Sequence, residues 1–448
     1  MTQARQFILP GYLLLCLVVG GSSQAVWGNA ALQLLGVGIL SWAALAPDPQ
    51  LLTRSARRLL WLTAALVLLI LTQLVPLPPA VWTSIAGRQF TADGFGQLGT
   101  NLPWMPISQA PYDTITTALT LLPPLALLIA LLRVRDWNVG WMLAAIVTGA
   151  ILSVLFGLLQ LTGGDGAWYF YKVTNIGVAV GAFANGNHFA TLLLVAIPAL
   201  AALAALGLRK EDKQQRMLVS AVILAAGAAI FVGAIMTSSA AALLIGPPVV
   251  ASSILLAARL PKRRVKQAVL GIIILLVLAA GSLATLGNRF PGWGTNASIE
   301  TRTGFWKTTA TAIRTEGLTG SGIGTFEKVY SRFEDPSAVD RFYVNHAHSD
   351  YLELALEGGI PAIVLMFLFL IWWSGRAREA WFQPTGTTEQ KSAVIASAAI
   401  LIHSVFDYPL RTAAIMAVMA TSLAVLAGAK GRIRPAPPGE QLARHATL

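Results

Sequence analysis

Apolar residues in this chain come in long runs with few polar interruptions, not in the short alternations of a water-soluble fold. Runs long enough to cross about 30 Å of hydrocarbon as helices occupy positions 7–23, 26–46, 59–75, 114–132, 138–162, 188–208, 217–237, 239–258, 267–286, 352–373, 392–406 and 411–429. Only helices or closed barrels satisfy backbone polar groups inside a bilayer, and runs of this length favour helices. The pattern predicts an all-α polytopic membrane protein, one integral domain over 1–448 with about twelve transmembrane helices. The first run follows Arg5 and precedes the small residues Ser22 and Ser23, as in a secretory signal; because many spans follow, it is expected to stay as an uncleaved first helix.

Composition agrees: of 448 residues, 55% are hydrophobic and only 12% charged. The net charge of +12 would suggest a nucleic-acid partner if it were gathered on one soluble surface. Instead most of the 32 lysines and arginines fall in short loops, such as Arg54/Arg57/Arg58, Arg209/Lys210/Lys213/Arg216 and Arg259/Lys262/Arg263/Arg264/Lys266. If each run spans once, these loops share one side, which the positive-inside rule makes the cytoplasm, together with both termini. Nucleic acid is therefore not an expected partner; membrane lipid is. The single cysteine, Cys16, lies in the first run and offers no disulfide.

The same threading places two long polar loops outside, 76–113 and 287–350, and leaves 431–448 as a disordered cytoplasmic tail. Most of the 20 acidic residues and every histidine except His445 fall on the outer side, so function is expected there. Trp82, Trp104, Trp293 and Trp306 read as interface anchors. Ile299, Arg302, Phe305, Trp306, Thr309 and Ile313 recur at helical spacing, predicting a short amphipathic helix that ends at Gly317, Gly320, Gly322 and Gly324.

The richest chemistry lies at Val344-Asn345-His346-Ala347-His348-Ser349-Asp350-Tyr351-Leu352, where the large loop turns into an apolar helix. Ser349 suits an N-cap with Asp350 in the first turn, which sets His348 at the positive helix end as a candidate general base. Outside the cytoplasm there is no ATP, so an outward-facing transferase needs a substrate that carries its own leaving group. Lipid-linked diphosphate sugars do, and their chemistry asks for arginines on the diphosphate and a base on the attacking hydroxyl. Arg302, Arg289, Arg341 and Arg411 are candidates for the first role and His348 for the second.

These residues resemble the bacterial O-antigen ligase and polymerase superfamily. The resemblance rests on His348-Ser349-Asp350-Tyr351-Leu352 with Glu357-Gly358, on Arg302 with Trp306, on Gly320-Ser321-Gly322-Ile323-Gly324-Thr325-Phe326, on His403 through Asp407 to Arg411, and on Phe183-Ala184-Asn185-Gly186-Asn187-His188. It implies a GT-C-like fold and a metal-independent, inverting transfer from an undecaprenyl-diphosphate-linked glycan to a lipid or saccharide hydroxyl. It places the reaction at the periplasmic face of the inner membrane and requires no cofactor. His348 matches the family's proposed base, Arg302 its diphosphate-holding loop arginine, and Asp407 an acidic position in the last outer turn. Supporting positions are His346, His403, His188, Asn187 and Glu357. Two arginines of many relatives are replaced by Gly186 and Ala240: either Arg411, Arg289 and Lys172 compensate, or the donor geometry differs, or the protein is inactive, and the active reading is kept.

Competing readings remain open at this level. The histidines His346, His348, His188 and His403 could ligate a metal, but no cysteine partner or HExxH spacing accompanies them. Glu334, Asp335 and Asp340 read as solvated loop acids. His188 is expected to cap its helix, and His403 to bond Asp407. A twelve-helix secondary transporter would place ionisable residues at mid-membrane, where these runs have almost none. A non-catalytic scaffold of a polysaccharide assembly complex is the third class.

Overall fold

The structure, a computed structural model, describes residues 2–24, 26–47, 49–135, 137–164, 166–207, 212–237, 239–257, 263, 267, 271, 295–338 and 343–429. The apolar run 267–286 and the tail 431–448 lie almost wholly or wholly outside them, as do Arg289, Trp293, Asp340 and Arg341.

The described chain is helical, with no strand among its described residues. Its principal helices are α1 (Ile8–Val19), α2 (Trp27–Ala44), α3 (Arg54–Gln73), α4 (Pro111–Arg133), α5 (Val139–Thr162), α6 (Gly186–Gly207), α7 (Lys213–Met236), α8 (Ala240–Ala257), α9 (Thr295–Glu316), α10 (Phe326–Tyr330), α11 (Asp350–Phe382), α12 (Thr388–His403) and α13 (Ala413–Leu426). Among the described residues six of them, α3 to α7 and α11, are long and apolar enough to cross a membrane. The chain is thus an all-helical membrane protein.

Local chemistry sets the helix starts. Thr53, Asn138, Asp212, Ser349 and Thr412 each accept a backbone N–H of the first turn, and Thr387 with Gln390 closes a capping box on α12. In the core α6, buried along most of its length, packs on α5, α7, α8 and α12, and α13 packs on α1, α4 and α12, whereas α3 and α7 keep broad apolar faces outward. In lipid such helices associate by close packing more than by exclusion of water, which favours small contact residues. Ala413, Ala414, Ala417, Ala420 and Ala424 of α13 are buried accordingly. Gly20 lets α1 reach it: a Cβ there would meet that of Ala413 at 2.9 Å, and Ala414 N donates to Gly20 O at 3.0 Å.

At one end of the bundle, non-helical segments fold over the helix ends. Gln160, buried at the end of α5, accepts from Val180 N and Gly181 N at 3.0 Å each and donates to Gly181 O at 2.7 Å, which fixes the 163–185 segment. Gln73, at the end of α3, donates to Glu357 O and accepts from Ile323 N. The expected helix around 299–313 is present as α9, and the glycine-rich stop follows it. α11 breaks at Gly359 (φ 58°, ψ −153°), where a Cβ would lie 2.2 Å from Leu318 O. The glycine turn docks into this break: Ser321 N donates to Leu356 O, Gly322 N to Glu357 O, and Ile360 N to Leu318 O. Bare backbone thereby satisfies backbone that the helix has left open.

One expectation about a side chain is corrected. Trp82 is 1% exposed and donates Nε1–H to Pro103 O, so it packs inside the 76–113 segment and anchors no interface. Trp306 donates to His348 O at 3.4 Å and so braces the loop ahead of α11.

Candidate functional site

The N-termini of α6, α11 and α13 meet at this end, and with them the positive ends of three helix dipoles. Ser349 caps α11 as expected, and His348 precedes it at φ +49°. Left-handed backbone is uncommon for a residue with a Cβ and gathers at functional sites. Phe305, one turn beyond Arg302 on α9, stacks on the His348 ring with centroids 5.8 Å apart.

The centre is the buried carboxylate of Asp407, in the turn between α12 and α13. Its Oδ1 is 3.4 Å from His348 Nδ1 and 3.9 Å from His188 Nε2, and its Oδ2 is 3.7 Å from a terminal guanidinium nitrogen of Arg302. Burial opposes its charge, but contact with His348 and the fields of His188 and His403 outweigh that and hold it well below the usual carboxylate range. The His348 distance exceeds that of a well-formed hydrogen bond; such pairs often tighten only when substrate binds. Asp407 Oδ2, His348 Nδ1, His188 Nε2 and His403 Nε2 are all buried without a hydrogen-bond partner. The side chains of His348 and Arg302 each keep 22% exposure, so both can reach a ligand.

Tyr408 forms a wall through this end. His188 and His348 meet its ring edge-on at 4.8 and 5.0 Å, and His346 lies against it at 4.1 Å. Beyond His346 is a second charged group. Asp350, Glu353 and Glu357, at three- and four-residue steps on one face of α11, surround the guanidinium of Arg411. It reaches Glu357 Oε2 at 2.9 Å, Glu353 Oε1 at 3.3 Å and Asp350 Oδ1 at 3.8 Å. Burial opposes its charge too, and the three carboxylates override it and raise the pKa. His346 donates Nδ1–H to Glu353 Oε1 at 2.8 Å, leaving Nε2 3.3 Å from Ser23 Oγ. This group borders a hollow of about 510 Å³, which adjoins a second of about 960 Å³ at the shared lining residues Ser23, Gln24, Thr116, Thr117 and Thr120.

The structure thus gathers His348, Arg302, Asp407, His188 and His403 on one side of Tyr408, and His346, Glu357 and Arg411 on the other. Arg411 was expected on the diphosphate; its guanidinium is instead committed to three carboxylates. His188 does not cap α6: Asn185 does, its Oδ1 accepting from Asn187 N at 2.8 Å. His403 bonds Thr191 Oγ1 at 2.7 Å rather than the Asp407 side chain. Asn187 Oδ1 accepts from Ser239 Oγ at 2.8 Å, beside the Ala240 position that lacks the relatives' arginine. Asp335 is engaged locally, with Ser337 N and Oγ. Sequence reasoning missed Glu353, Ser23 and the Tyr408 wall; the spacing of Asp350, Glu353 and Glu357 was the available signal for the first. Among the described residues, no group of three or more His, Cys, Asp or Glu side chains is arranged to hold a metal ion.

No curated protein matches the chain. The family model described as O-antigen ligase matches residues 224–368, a span that takes in Arg302, His346, His348 and Glu357 but not His188, His403, Asp407 or Arg411. With that match, the resemblance of this chain to the O-antigen ligase and polymerase superfamily is borne out.

Proposed function

We propose that the protein is a ligase- or polymerase-type glycosyltransferase. In this reading it transfers a glycan from undecaprenyl diphosphate to an acceptor hydroxyl at the periplasmic face of the inner membrane. The observation that carries it is the single carboxylate of Asp407 shared by His348 and Arg302, both partly exposed. Arg302 holds the donor diphosphate and takes up charge as the glycosidic bond breaks. The N-termini of α6, α11 and α13 add to the positive potential there. His348 accepts the acceptor's hydroxyl proton as the new C1–O bond forms on the opposite face of the sugar. The electrons of the broken C1–O bond leave with the diphosphate, and the configuration at C1 inverts. Asp407 orients the imidazole and stabilises its protonated form, the role a buried carboxylate plays beside other histidine bases. Arg411 holds Asp350, Glu353 and Glu357 in place beside the site.

No metal is required in this account. The test is a clean deletion followed by gel analysis of surface glycans, with EDTA added to a parallel membrane assay. Loss of chain attachment, or chains cut to single repeats, is the expected result, with transfer unaffected by chelation. An unchanged glycan pattern contradicts the reading. Inhibition by EDTA that added metal reverses contradicts its metal-free chemistry.

A further inference from the structure

The two faces of the Tyr408 wall have opposite electrostatic character. On the Arg302 side lie one guanidinium, three imidazoles and the single carboxylate of Asp407. The 510 Å³ hollow on the His346 side is bordered by five carboxylates, those of Asp113, Glu327, Asp350, Glu353 and Glu357, against the cations Lys328 and Arg411. Arg411 is already paired with three of those carboxylates. A diphosphate entering this hollow would meet Lys328 beside Asp113 and Glu327, with Arg411 already taken up by the other three carboxylates.

What the hollow offers suits a different ligand. Ser23, Thr116, Thr117 and Thr120 present hydroxyls, Gln24 and Asn345 present amides, and the exposed ring of Tyr343 supplies flat apolar surface. Sugars donate hydroxyl hydrogens to carboxylates and lay their C–H faces on such rings. At the inner end, His346 is fixed by Glu353 and presents Nε2 to a hydroxyl, that of Ser23. Resting on the transferase reading above, we propose that this hollow binds the acceptor saccharide, uncharged or amine-bearing, with His346 Nε2 bonding one of its hydroxyls across Tyr408 from His348. The second hollow supplies its entrance. It continues from the five shared residues to Trp27, which is 92% exposed, and to Phe170, with Lys172 its single cation and no carboxylate. A lipid-anchored acceptor can therefore reach the first hollow from the membrane side while the donor's diphosphate stays with Arg302.

Thr116 lines both hollows from the exposed side of α4, outside the charged clusters, so Thr116→Trp narrows the path without disturbing them. The protein would be reconstituted in nanodiscs. Undecaprenyl diphosphate binding would be measured beside transfer between lipid-linked glycan and glycolipid acceptor, both extracted from cells lacking the protein. Thr116→Trp is expected to bind undecaprenyl diphosphate within twofold of wild type and to transfer at least tenfold more slowly. Tenfold more acceptor extract should restore the rate, and more donor extract should not. Weakened undecaprenyl diphosphate binding, rescue by donor, or an unchanged rate each overturns the assignment. A wild-type protein that transfers nothing fails the transferase reading itself, and the two failures are distinguishable.

Discussion

Nδ1 of His348 lies 3.4 Å from Oδ1 of Asp407, with the other oxygen of the same carboxylate 3.7 Å from Arg302. The group proposed to receive the proton and the group proposed to take up phosphate charge are thereby tied to one buried anion. Replacing it with an isosteric amide keeps the shape and removes the charge. Asp407→Asn is expected to lower transfer by about 10²- to 10⁴-fold, the range of a general base deprived of its support. The depressed pKa of Asp407 fixes the sign of its acid response. Its ionic contribution is present above the unfolded carboxylate value and is lost only as pH falls through the lower folded value. The effect of Asp407→Asn on the thermal midpoint should accordingly be the same at pH 6 and pH 8.

Among the described residues, no other lysine or arginine pairs with the three carboxylates around Arg411. Removing one partner of a buried ion pair leaves uncompensated charge, at a cost of about 3–5 kcal/mol. Arg411→Met should therefore lower the thermal midpoint markedly and reduce yield. Arg411→Lys should recover little, because one ammonium placed at the nitrogen that serves Glu353 and Glu357 cannot also reach Asp350, which faces Nε. A Met variant of wild-type stability that has lost only undecaprenyl diphosphate binding would instead make Arg411 a donor ligand.

Gly359 holds the break in α11 on which the glycine turn rests. Its left-handed backbone suits glycine alone, and a Cβ would press on Leu318 O and Gly320 N at 2.2 and 2.6 Å. Gly359→Ala should destabilise by about 1–3 kcal/mol from backbone strain, with the contact adding to it. Since Glu357 is held from the same break, transfer should fall along with the thermal midpoint.

Glu316, at the end of α9, is buried beside Arg88 and bonded by Gln109 and Arg332. Burial raises its pKa despite these guanidinium groups. Stability linked to it is therefore complete below the unfolded carboxylate value and declines as pH rises through the higher folded value. Glu316→Gln should flatten that decline, which thermal unfolding of both proteins between pH 4 and pH 8 would reveal.

The membrane character was legible because apolar runs obey solvation rules that act along the sequence. Ser349 and Asp350 marked the start of α11, and the 3.6-residue rhythm of 299–313 marked α9. Partnership was not legible. Whether Arg411 faces a phosphate or three carboxylates depends on how α11 and the α12–α13 turn cross, which no local pattern encodes. Trp82 looked like an interface residue because its burial comes from the fold of 76–113 around it. Asn185, a better cap than His188 by residue type alone, could have been assigned from the sequence.

The central claim, that His348 moves the proton in a glycan transfer, is tested most directly in proteoliposomes supplied with extracted lipid-linked glycan and acceptor. His348→Ala, matched to wild type in expression and thermal midpoint, should retain undecaprenyl diphosphate binding and lose transfer by at least about 10²-fold. Transfer at the wild-type rate by that variant would contradict the account.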